Sequence, residues 1–147
     1  MSSDLQDRMT AAEYRAQHGQ PSEHQLQRGI IQWARAQAGK HPELGLLHAI
    51  PNGQYRPGQR KEPGLLAGMP DLCLPAPRCS AGGRELGALY LELKKPGRYA
   101  RKNQRERMEE LRQAGNAAAV ARSLEEAQAL ILEYLGNNHD DPLEPNR

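Results

Sequence analysis

The run Leu89-Tyr90-Leu91-Glu92-Leu93-Lys94-Lys95-Pro96 decides how this chain folds. Leu89, Leu91 and Leu93 alternate with Tyr90, Glu92 and Lys94. This period of two sends alternate side chains to opposite faces of a sheet. Glu92 and Lys94 then share a face, with Cα atoms about 6.6 Å apart at ~3.3 Å of rise per residue. Such a pair can address one phosphate or one cation. A half-exposed antiparallel strand gives the same alternation with no chemistry attached, so the flanking sequence has to decide.

Upstream stands Gly68-Met69-Pro70-Asp71-Leu72-Cys73-Leu74-Pro75, a short strand bracketed by prolines. Leu72 and Leu74 point one way, Asp71 and Cys73 the other. Asp71 is the only aspartate between positions 8 and 139; a turn-forming aspartate is the plain alternative to a functional one. Residues 76–87 carry turn-forming Gly, Arg and Ser. Residues 71–75 and 88–94 therefore read as a hairpin, which brings Asp71 near Glu92 in a suitable register.

Downstream, a helix is predicted over about 101–114, stopped at Gly115, with Gln104, Met108 and Leu111 on its inner face. Ala117–Ala121 reads as a short buried strand. Ser123 and Glu126 cap a last helix whose buried face is Leu124, Ala127, Leu130, Ile131, Tyr134 and Leu135, ending at Gly136.

Further back, residues 52–68 form a basic, Gly- and Pro-interrupted loop with Arg56, Arg60 and Lys61, and one helical turn near Leu65 and Leu66. Leu44–Ile50 reads as a strand ending at Pro51-Asn52-Gly53, with the lone His48 in it. Ser22 and Gln25 form a capping box for a helix that buries Leu26, Ile30, Trp33 and Ala34, with Ile31 beside them. Glu23 sits in the first turn of that helix, either as a favourable charge at the helix N-terminus or as a functional carboxylate. Residues 1–21 read as an appendage with a short helix over about 10–18, and residues 137–147 as a disordered tail. The domain proper is thus 22–136, with order α-β-β-β-α-β-α. That order describes an α/β fold with a mixed central sheet flanked by helices.

At 147 residues the chain suits one domain, and with 37% hydrophobic residues and no Phe its core must be small and built mainly from Leu, Ile and Ala. Cys73 and Cys79 are too few for a zinc site or a disulfide framework. Apolar runs fall short of a membrane span and the N-terminus lacks the order of a secretory signal, so a cytoplasmic protein is expected. The formal charge of +2 is unevenly spread. Residues 22–136 hold 17 basic and 12 acidic side chains, and seven of the bases fall between Lys94 and Arg107. The cluster points to a polyanion, although a solvated helix face explains many such runs.

Taken together, Glu23, Pro70-Asp71, Glu92-Leu93-Lys94 and Gln104, with His48 and Pro51-Asn52 between, resemble the PD-(D/E)xK nuclease superfamily and more closely its VRR-NUC branch. The resemblance spans about residues 22–135. One departure is that the family has a longer helical stretch before its Gly-x-Pro-Asp, where this chain is broken by Pro57, Pro63 and glycines.

The resemblance implies a restriction-endonuclease-like core and a Mg²⁺- or Mn²⁺-dependent DNA endonuclease. Asp71, Glu92 and the Leu93 carbonyl would bind the ion, with Glu23 binding directly or through water. Lys94 would orient the attacking water, and Gln104 would hold Lys94 or the water. His48, Asn52, Arg56, Arg60, Lys61, Lys95, Arg98, Arg101, Lys102 and Arg105 would contact DNA. Small stand-alone members of the branch look like structure-specific enzymes, so a homodimer acting on branched DNA, a Holliday-like junction or a flap, is expected. Repair, recombination and phage DNA processing fit equally. The alternative is a non-catalytic nucleic-acid-binding module that kept the fold and the basic face; a structural subunit is the blandest reading.

Overall fold

The computed structural model describes residues 19, 21–51 and 62–136. The predicted helix over 10–18, the tail 137–147, and most of the basic loop lie outside the described residues.

Helix α1 (Glu23–Gln37) begins as its sequence dictates. Ser22 Oγ accepts from Gln25 N at 3.0 Å, and Gln25 Oε1 accepts from Ser22 N at 2.8 Å. Two otherwise unpaired donors at the helix start are thereby satisfied. Its Leu26, Ile30 and Ala34 are buried. The expected strand over Leu44–Ile50 is mostly something else: Pro42–Leu46 is a 3₁₀ turn, leaving only β1 (His48–Ala49). Proline at the first position fixes a φ suited to a helical turn, and that local preference overrides the apolar run.

Strands β2 (Leu72–Leu74) and β5 (Leu89–Leu93) form the expected antiparallel pair. Between them, β3 (Arg78–Cys79) and β4 (Glu85–Leu86) make a separate two-stranded ribbon where a plain turn was expected. Helix α2 (Lys102–Gln113) then returns the chain to β6 (Ala117–Ala121), parallel to β5, and α3 (Leu124–Gly136) follows. The main sheet has the order β1-β2-β5-β6, with one parallel and two antiparallel pairings, giving a mixed α/β fold. No helical turn forms at Leu65 and Leu66, which are exposed. Among the described residues no helix is long and apolar enough to cross a membrane.

The register assigns the faces. Leu72 pairs with Leu91 and Leu74 with Leu89, and the parallel neighbours are Ala117, Ala119 and Ala121. These side chains join Leu26, Ile30 and Ala34 of α1 and Ala127, Ile131, Tyr134 and Leu135 of α3 in one core. Each fully buried leucine contributes about 1.5–3 kcal/mol. Tyr134 is buried, and its hydroxyl donates to Ala76 O at 2.6 Å, tying α3 to the segment after β2. Burial pushes its phenol up to about 12. The opposite face of the sheet carries Asp71, Cys73, Tyr90 and Glu92; α2 packs against β6 and reaches this face through Gln104, so the sheet separates a leucine side from a charged side.

Candidate active site

The antiparallel register continues one step past the end of β2: Leu72 pairs with Leu91, so Asp71 stands opposite Glu92. Asp71 is held there from both sides along the sheet. Its carbonyl accepts from Ile50 N at 2.8 Å, and its carboxylate Oδ2 accepts from Leu93 N at 2.7 Å. Side chain and backbone thus tie Asp71 to both neighbouring strands. Leu93, expected to contribute its carbonyl to a metal, contributes its amide to fixing the first carboxylate.

The approach to Asp71 is set by α2. Arg107 Nε and Nη2 donate to Ala67 O at 3.3 and 3.2 Å. Gly68 has φ +80°, and a Cβ there would stand 2.8 Å from Asn103 O. Only glycine suits both that backbone conformation and that approach. The Gly-x-Pro-Asp segment therefore threads against the first turn of α2. Nothing in the sequence paired Arg107 with this loop, 40 residues away.

Glu92 is 2% exposed and Lys94 7%, both far more buried than a solvent-facing alternation implies. Lys94 Nζ lies 3.5 Å from Glu92 Oε1. Gln104 Nε2 donates to that same oxygen at 3.0 Å, while Gln104 Oε1 accepts from Arg101 N at 2.8 Å. The amide of Gln104, expected to hold Lys94 or the water, links the start of α2 to Glu92, at the oxygen that Lys94 also faces. Glu92 Oε2 is buried and no N–H among the described residues reaches it, leaving the neighbouring Asp71 carboxyl as the group with which it can share a proton.

Burial raises the Asp71 carboxyl above the usual range, opposed by the Leu93 amide and reinforced by the charge of Glu23. Burial, together with the adjacent Asp71, pushes Glu92 up to about 8, against the pull of Lys94. Glu23 itself is exposed on α1. A half-buried and a buried carboxylate side by side repel, and a proton or a cation between them relieves that repulsion.

The residues fit a divalent cation. An unpartnered buried carboxylate oxygen beside a second carboxylate is a hard-oxygen donor set, and Mg²⁺ is commonly held by one or two carboxylates with water completing the shell. Among the described residues, no three His, Cys, Asp or Glu side chains form a group that could hold an ion. Glu23 stands on α1 near enough for its charge to raise the Asp71 carboxyl.

Lys95, Arg98, Arg101, Lys102 and Arg105 are exposed along the loop after β5 and the first turn of α2. Lys102 pairs with Glu106 at 3.8 Å, and Arg105 Nη1 donates to Ala100 O at 2.6 Å. His48 is exposed, its Nδ1 2.9 Å from Leu46 O, and the sheet register puts it in the row of Cys73 and Tyr90 on the charged face. Asn52, Arg56, Arg60 and Lys61 lie outside the described residues. Tyr90 shares the face of Glu92 and lies opposite Cys73. Its place was legible in the alternation, but no role had been attached to it.

A model of the VRR-NUC domain matches residues 11–125. The chain belongs to the VRR-NUC family. A solved structure described as a "VRR_NUC domain protein" is similar at 28% identity and a TM-score of 0.65, over 80% of this chain and 91% of that one. No curated protein matches the chain. This VRR-NUC domain is of the nuclease type, and its charged sheet face, beside the start of α2, is the candidate active site.

Proposed function

We propose that this VRR-NUC domain is a metal-dependent DNA endonuclease that hydrolyses phosphodiester bonds in branched DNA. The observation that carries the reading is the juxtaposition of half-buried Asp71 with buried Glu92, whose Oε2 meets no donor among the described residues and whose Oε1 faces Lys94.

Asp71, Glu92 and the Leu93 carbonyl would hold Mg²⁺ or Mn²⁺, with Glu23 adding negative charge nearby. When bound, the ion supplies charge stabilisation at the phosphoryl group and activates water. The chain's own residues do the rest. Asp71 is pre-positioned by the Leu93 amide, and Glu92 is kept in one orientation by Gln104, so neither must reorganise when substrate arrives. The ammonium of Lys94 stands where it can orient an attacking water and offset the negative charge that develops on the phosphoryl oxygens. Lys95, Arg98, Arg101, Lys102 and Arg105, with His48, supply phosphate contacts that give affinity without sequence information. Asn52, Arg56, Arg60 and Lys61 are assigned the same task on their chemistry alone.

One site cuts one strand, and a four-way junction offers two symmetry-related strands, so a homodimer suits that substrate. Light scattering on the purified chain should return a dimer; a monomer at working concentration contradicts that part. The function is tested on flap, splayed, junction and linear duplex DNA with Mg²⁺ or Mn²⁺, comparing the wild type with Asp71→Ala and Lys94→Ala. Metal-dependent cutting by the wild type alone is expected. Binding without cutting on every substrate would make the chain a non-catalytic binding module instead.

A further inference from the structure

Tyr99 is the most exposed large hydrophobic side chain among the described residues, at 79%. It sits five positions after Lys94, between Arg98 and Arg101, in a loop whose other exposed side chains include Lys95 and Lys102. The core makes no use of this ring.

The loop that carries it is fixed rather than loose. Arg98 N donates to Lys95 O at 3.0 Å, closing a turn in which Gly97 takes φ +79°. Ala100 is buried, its carbonyl accepts from Arg105, and Arg101 N is capped by Gln104. Both sides of Tyr99 are thus anchored. The Arg122 guanidinium lies 5.6 Å from the ring centroid, and Arg122 Nε donates to Arg98 O at 3.2 Å.

Arg122 also gives the ring its address. It follows the last residue of β6 as Lys94 follows the last residue of β5, and Lys94 N donates to Ala121 O at 3.1 Å. Tyr99 is therefore one arginine side chain from the strand ends that present Lys94. A rigid, solvent-exposed aromatic ring among cations, at the edge of a phosphate-cutting site, matches the chemistry of nucleobase stacking. Bases inside a duplex already stack on one another and offer no free face. An unpaired nucleotide does.

We propose that Tyr99, buttressed by Arg122, is a stacking platform for an unpaired nucleobase next to the cut site, and so selects nucleic acid with a single-stranded arm or a frayed junction over continuous duplex. This rests on the nuclease reading for its location, but its binding test does not depend on cutting.

The probes are a splayed-arm DNA carrying 2-aminopurine in its single-stranded arm and a blunt duplex of equal length, both bound at low salt in EDTA. Wild type should bind the splayed probe more tightly than the blunt one and quench the 2-aminopurine. Tyr99→Ala should weaken splayed-arm binding by about 5- to 150-fold, the range for losing one base stack. It should also lose the quench while leaving blunt-duplex binding within about twofold. Tyr99→Trp should restore both signals. Unchanged splayed-arm binding in Tyr99→Ala, an equal loss on both probes, failure of Tyr99→Trp to rescue, or no wild-type binding to either probe overturns the proposal. Metal-dependent cutting is scored separately. Stacking without cutting by the wild type removes the nuclease reading alone, and cutting with a neutral Tyr99→Ala removes the platform alone.

Discussion

Gln104 and Glu92 meet through a hydrogen bond of 3.0 Å from the Gln104 amide to Glu92 Oε1. The same side chain caps α2 by accepting from Arg101 N, and only one orientation of the amide serves both partners. Helix start and buried carboxylate are therefore one structural unit. Through it, the geometry of the basic loop is linked to the oxygen that also faces Lys94.

Gln104→Ala removes both bonds at once. Loss of the cap and of a partner to a buried carboxylate should cost about 1–3 kcal/mol, measured by urea denaturation. Gln104→Glu should keep the cap, since a carboxylate oxygen still accepts from Arg101 N, but it has no amide N–H to give Glu92 and adds a third acid to the pair. A variant that keeps wild-type stability would mean that the two bonds contribute nothing.

Gly68→Ala meets the α2 backbone. With φ +80° and a Cβ 2.8 Å from Asn103 O, it should lose about 2–4 kcal/mol. Gly64 has φ +87° with nothing within 4 Å of its Cβ position, so Gly64→Ala bears only the conformational cost of about 1–2 kcal/mol. Thermal unfolding of the two variants side by side separates contact from conformation. Equal losses would show that the close approach to Asn103 is immaterial.

The pair Asp71 and Glu92 predicts an unusual pH profile. Glu92 is raised from 4.5 to about 8, so between those values the folded metal-free protein holds a proton that the unfolded chain has released. Its contribution to stability is full below about 4.5 and is lost as pH rises towards 8. In EDTA, Tm should fall from pH 5 to pH 8, and Glu92→Gln should flatten the slope. Added Mg²⁺ or Mn²⁺ should raise Tm more at pH 8 than at pH 5.5, since a cation competes with that proton. A Tm that rises over this range in EDTA would contradict the shift.

Much of this architecture was legible because one face of the sheet is apolar. A slip of one residue would turn Leu89, Leu91 and Leu93 towards the charged side, so alternation in β5 and β2 assigned the faces, while the register that sets Asp71 opposite Glu92 came only with the structure, since a two-residue slip keeps the same faces. The capping pair Ser22 and Gln25 was equally readable, because its partners are three residues apart. What escaped was either local geometry overriding composition or contact at long range. Pro42 turned an apolar run into a 3₁₀ turn, and the ribbon Arg78–Cys79 with Glu85–Leu86 is too short to leave a periodic signal. The pairings of Arg107 with Ala67 and Gln104 with Glu92 depend on how α2 docks, which no spacing encodes.

Lys94→Met keeps the aliphatic stem in its buried slot while removing the ammonium. Cutting should fall by about 10²–10³-fold if that charge serves the reaction. Folding should persist at neutral pH, where Glu92 is largely protonated and needs no counter-ion. Full activity in Lys94→Met would remove lysine from the chemistry.

On the reading proposed above, Asp71 and Glu92 form the centre of a metal-dependent nuclease. The most direct measurement is cleavage of end-labelled junction and flap DNA by the wild type with Mg²⁺ or Mn²⁺, beside the same protein in EDTA and beside Asp71→Ala. Discrete strand cuts are expected only for the wild type with metal. Equal cutting by Asp71→Ala, undiminished cutting in EDTA, or no cutting of any substrate by folded, DNA-bound wild type would contradict it.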